Sequence, residues 1–133
     1  MGVPAAKMGD QIVAVDIHII LIPAPPGPPV PTPLPHPFAG IIDSGCSNDV
    51  KIMGAGAAVV GSEATNTPPH IPQGGPFQKP PMNKGKIIRG SATVKINGKM
   101  AARMGDTAMT CNDPSDLPVG TVIGTAVTVM IGG

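Results

Sequence analysis

Five side chains supply every imidazole and thiol in the chain: His18, His36, His70, Cys46 and Cys111. Three imidazole nitrogens and one thiolate sulfur make a closed tetrahedral donor set. Such a set suits Zn2+, a borderline-soft d10 ion without redox chemistry. No two of the five stand at zinc-finger spacing, so the fold would have to gather the ligands from distant segments. Taken one at a time, each histidine reads as a solvated loop residue. The metal reading therefore depends on whether the chain repeats in a way that brings them together.

A repeat is present. The segment Val94–Asp106, VKINGKMAARMGD, has a degenerate copy at Val50–Ser62, VKIMGAGAAVVGS, without a gap at an offset of 44 residues (94 − 50). A third copy is split, with Val129–Gly133 reading VMIGG and Pro4–Asp10 reading PAAKMGD. A closed, roughly threefold structure opened inside one unit produces this pattern. A glycine-bounded pair of β-branched residues precedes each copy, in Gly40–Gly45, Gly85–Gly90 and Gly120–Gly124.

Ala92, Val94 and Ile96 fall on one face of an alternating stretch, with Thr93, Lys95 and Asn97 on the other. That is the period of a half-buried strand. Asn97-Gly98 and Gly132-Gly133 predict tight turns, and no segment carries a sustained helical period. The expectation is a small all-β, pseudo-threefold domain over residues 1–133.

With two Phe and no Trp or Tyr, the core has to be thin and built from Val, Ile, Ala and Met. A small domain with so little core calls for a staple. Nine prolines lie between Pro23 and Pro37 and six between Pro68 and Pro81. They define two inserts, at about 19–39 and 66–84. Composition alone allows the first to be a polyproline linker. Because each insert carries a histidine, both are expected to be ordered, irregular loops pinned over the β core.

The repeat frame then places the donors. His18 follows Asp10 by eight residues, and His70 follows Ser62, the equivalent of Asp10, by eight. Cys111 follows Asp106, the third equivalent, by five, and His36 enters from the first insert. His18, His36, His70 and Cys111 are therefore the expected ligands of one structural Zn2+. Cys46, at about the place of Ser91, reads as a small buried residue. Its competing roles are to replace His36 as ligand or to form a disulfide with Cys111, which a cytoplasmic origin opposes.

The net charge is +1 and the basic residues are scattered, so nucleic acid is not indicated as a partner. No run reaches the length of a membrane span, and the N-terminal residues read neither as a Sec signal nor as a myristoylation site. The expectation is synthesis in a bacterial cytoplasm.

The strings Pro4–Asp10 and Met100–Asp106, with Gly90–Gly98 reading GSATVKING, closely resemble the PAAR-repeat family, named for its proline-alanine-alanine-arginine motif. Departures are Lys7 for arginine, Met100 for proline, and the loss of both arginine and aspartate from the middle copy. The resemblance implies a β-cone capping the trimeric, VgrG-like spike of a contractile injection machine, one chain per trimer. The machine would be a type VI secretion system or a phage-tail-like particle. It implies transient contact with a target membrane, leaves effector cargo open, and implies zinc held by three His and one Cys. It implies no enzyme. The competing classes are a zinc-stapled adaptor on another trimeric fibre and a zinc hydrolase, the latter requiring an open metal position and a base.

Overall fold

The computed structural model describes residues 2–132. The end of the third repeat copy and of its expected turn, Gly133, lies outside the described residues. The strands are β1 (Val3–Pro4), β2 (Gln11–Ile22), β3 (Val30–Ser44), β4 (Lys51–Ile52), β5 (Ala55–Gly56) and β6 (Glu63–Asn66). They continue with β7 (Lys84–Ile87), β8 (Lys95–Ile96), β9 (Lys99–Met100), β10 (Thr107–Thr110), β11 (Leu117–Ile123) and β12 (Met130–Ile131). Among the described residues there is no helix. Six strands close into an antiparallel barrel in the order β10-β11-β2-β3-β6-β7, which leaves no open sheet edge around its girth.

The threefold frame is visible bond by bond. Three two-stranded ribbons form the base: β4 with β5, β8 with β9, and β1 with β12. Two of them turn at Met53-Gly54 and Asn97-Gly98 with positive φ at both central residues, the hairpin geometry that asparagine and glycine tolerate. Above the ribbons the Ala6 N–H donates to the Ala102 carbonyl, Ala102 to Ala58, and Ala58 to Ala6, each at 3.0 Å. This closed ring of three hydrogen bonds encircles the pseudo-axis. All three alanines are fully buried, as expected where three segments converge too tightly for a larger side chain.

Each unit next makes the same tight turn. Gly9, Gly61 and Gly105 have φ of 95°, 102° and 90°, which other residues rarely adopt. Their N–H groups donate to the carbonyls of Ile42, Ile87 and Val122, each at 2.9 Å. The residue after each glycine accepts the N–H three positions back: Lys7 to Asp10, Val59 to Ser62 and Arg103 to Asp106. Ser62 Oγ thus stands in for the carboxylate missing from the middle copy, and the turn survives without the Lys7–Asp10 or Arg103–Asp106 ion pair.

Ile12, Ile42, Ile87 and Val122 fill the barrel with Phe38, the one large ring of the core. A second cluster, with Ile52, Val59, Ile96 and Ile131, lies among the ribbons. Cys46 does not occupy the place of Ser91. Ser47 does, since the Ser47 and Ser91 N–H groups donate to the equivalent Ala57 and Ala101 carbonyls at 2.8 Å.

The first proline insert differs from expectation. It is not a loop: β2 and β3 pair without interruption from Gln11↔Ile41 to Ile22↔Val30. The reason lies in the proline spacing. Pro31, Pro33, Pro35 and Pro37 alternate along β3. The odd-numbered N–H groups of β2 are engaged on the far side, Ile17 to Asn112, Ile19 to Asp113 and Leu21 to the Pro76 carbonyl. The β2–β3 ladder bonds therefore fall on the even residues, Thr32 to Phe38, and every proline turns its missing donor toward the free edge. The second insert is irregular over residues 67–83 and is held by Leu21 N–H to Pro76 O and Gln78 N–H to Ile19 O, each 2.9 Å.

Candidate metal centre

Alternation along β2 sets the site. Ile12, Asp16, His18 and Ile20 are buried on the inward face, and on β3 His36 and Phe38 face the same interior. Asp16 pairs directly with His36 in the ladder. His70 comes from the second insert and Cys111 from the residue after β10, both buried. The three imidazoles form a nearly equilateral triangle, with ring centroids 4.9 Å (His18–His70), 5.5 Å (His18–His36) and 5.6 Å (His36–His70) apart. Imidazoles sharing one tetrahedral ion, with metal–nitrogen bonds of about 2.0 Å, have centroids about 5 Å apart.

The closest donor atoms belong to Asp16, His18, His70 and Cys111, which lie within 4.8 Å of one another. His36 stands beside this group rather than in it. Cys111 Sγ is 3.6 Å from His18 Nε2 and 3.4 Å from Asp16 Oδ2. These separations match two ligands of a single tetrahedral ion, about 3.5 Å apart. A buried cluster that could hold a metal ion is thus present.

The outer ring nitrogens bear on the fit. His36 Nδ1 donates to the Leu34 carbonyl at 2.9 Å; a carbonyl only accepts, so a neutral ring keeps its proton there and offers a lone pair at Nε2. His18 Nδ1 is buried without a hydrogen-bond partner, and Asp113 Oδ2, at 3.6 Å, is too distant to be one. A carboxylate behind a metal-binding imidazole is the usual outer partner. His70 differs: Asn66 Oδ1 accepts from Ala39 N–H, which turns the amide nitrogen toward His70 Nδ1 at 3.2 Å. The His70 proton then sits on Nε2, which donates to Asp16 at 2.9 Å.

Burial holds the His18 imidazole below its ordinary pKa, against the opposing pull of Asp113 and Asp16. Burial, reinforced by the charge and hydrogen bond of Asp16, pushes the Cys111 thiol up to about 12, so a metal has to displace its proton. Phe77 lies over the site, 5.8 Å from the His18 ring and 5.5 Å from His36. Cys46 is remote, and both cysteines are free thiols. Asp16 was not among the residues expected from the sequence. Its signal was an acid two positions before His18 on the apolar face of a strand.

The fold is thus an antiparallel β-barrel with three equivalent turns, enclosing a buried cluster of nitrogen, sulfur and oxygen donors that could hold a metal ion. The PAAR motif model matches residues 32–114, and the chain belongs to that family, which is associated with the spike tips of secretion systems. Comparison with curated proteins gives no match.

Proposed function

We propose that the protein caps and sharpens the trimeric, VgrG-like spike of a contractile injection system, and that one structural Zn2+ held by His18, His36, His70 and Cys111 keeps the tip folded as it meets a membrane. The observation that carries this reading is the ring of Ala6, Ala58 and Ala102, because it gives one chain a threefold base for a threefold partner. The ribbons around that base carry exposed apolar side chains, among them Met53 at 52 % and Met130 at 57 %. The protein is made in the cytoplasm and carried out at the particle tip, with or without effector cargo.

The centre is structural rather than catalytic in this reading. Asp16, the acid nearest the donors, is wholly buried, and it does not line the cleft of about 280 Å3 beside His36 and His70. The imidazoles that do line it, His36 and His70, are engaged as ligands in this reading, so no free base faces a substrate there.

The mass of the complex with the cognate spike protein tests the proposal. One chain per trimer is expected, and Met130→Asp is expected to abolish binding while leaving metal content intact. A three-to-three ratio, or no binding to the spike trimer, would leave a metal-stapled adaptor for another fibre.

A further inference from the structure

Asp16 has no place in the expected ligand set, yet it is wholly buried at the centre of the donors. Four groups address its carboxylate: Thr110 Oγ1, His70 Nε2 at 2.9 Å, Cys111 Sγ at 3.4 Å and Asn112 Nδ2 at 3.4 Å. Two of these, the His70 N–H and the Cys111 S–H, are the groups a metal draws on: the thiol loses its proton, and the His70 proton moves from Nε2 to Nδ1, which keeps the ring neutral. Thr110 and Asn112 remain as donors when those two are withdrawn. Thr110 Oγ1 and Asn112 Nδ2 are themselves tied together at 3.4 Å, so the carboxylate is held independently of the ligands.

Charge arithmetic gives this placement a purpose. A divalent ion with one thiolate and neutral imidazoles leaves a net +1 in an apolar interior, which costs several kcal/mol unless it is paired. The Asp16 carboxylate, in contact with the ligands themselves, offsets that charge, and Asp113, 3.6 Å behind His18 Nδ1, adds a second negative charge acting in the same direction. A monovalent ion with the same thiolate is already neutral, and there each carboxylate only adds to an excess of negative charge. Resting on the metal reading above, we propose that Asp16 sets the charge of the centre and so selects a divalent over a monovalent ion.

The test is competitive titration of the full chain with Zn2+, Co2+ and Cu+, comparing wild type with Asp16→Asn, which keeps shape and acceptor oxygen while removing the charge. Zn2+ and Co2+ affinity is expected to fall about tenfold or more, the usual cost of losing an outer carboxylate, while Cu+ affinity holds or rises. Asp16→Glu, which retains the charge, is expected to keep the preference for the divalent ions. If the amide variant does not fold, Asp16→Ser is the second neutral replacement. Equal weakening of both ion classes would show that the carboxylate only holds the fold, and unchanged affinity for both would remove it from the site. Either result overturns the proposal. A wild-type protein that takes up neither Zn2+ nor Cu+ overturns the metal reading itself, an outcome read before any variant is made.

Discussion

Cys111 is the residue on which the centre turns, because it is the one thiol among the donors and its proton is held by burial. Cys111→Ser is expected to bring metal below one ion per chain by elemental analysis. It should also lower Tm by about 10 °C, the order expected for losing about 3 kcal/mol in a chain of this size. Cys46→Ser, away from the donors, is expected to change neither; full metal content in Cys111→Ser would remove that thiol from the centre. His18, His70 and Cys111 were legible in the sequence because each follows a repeat turn at a short, countable distance. Asp16 was not, since an isolated acid in an apolar strand resembles an exposed edge residue until the opposite strand is in place. His36 was placed in a loop from its proline neighbours, and only the ladder reveals that it faces Asp16.

Among the elements, the second insert depends on one close approach. A Cβ on Gly75 would collide with the Leu21 carbonyl oxygen, directly beside the Leu21–Pro76 hydrogen bond that carries Phe77 over the imidazoles. Gly75→Ala is therefore expected to lift this strap and speed chymotryptic cleavage after Phe77 even with metal bound. In the wild type the same cleavage should appear only on chelation. Equal rates in wild type with and without metal would mean that the strap is not tied to the centre. The strand units and turns could be read from the sequence because period-two alternation and Asn-Gly turns are local signals. The β2–β3 hairpin could not, because proline density argues against pairing unless the phase of the prolines is known to match a free edge. Pro31, Pro33 and Pro35 replaced together by threonine should restore three edge donors. The expected result is concentration-dependent association on size-exclusion chromatography, with the barrel otherwise intact.

Over the whole molecule, the alanine ring is the least tolerant feature. Ala58→Leu forces volume into the axis and is expected to cost at least about 1–3 kcal/mol, read as a fall in Tm or a failure to fold. Pairing of Val3–Pro4 with Met130–Ile131 also makes the third unit equivalent to the others. A circular permutant that links the ends and reopens at Asn97-Gly98 is expected to fold with the same metal content. A chain that refolds only in the native order would contradict the equivalence of the three ribbons. The same near-equivalence has a consequence for assembly. A peg with three almost identical faces can be seated on a threefold socket in three ways, related by rotation through a third of a turn. If all three seatings were equal they would add roughly 0.65 kcal/mol, RT ln 3, to the affinity. They are not quite equal, because the middle unit has Val59 and Ser62 where the others carry ion pairs. On the threefold spike proposed above, that difference would make one seating distinguishable from the other two, and with it the direction in which the β2–β3 hairpin and its row of prolines lies.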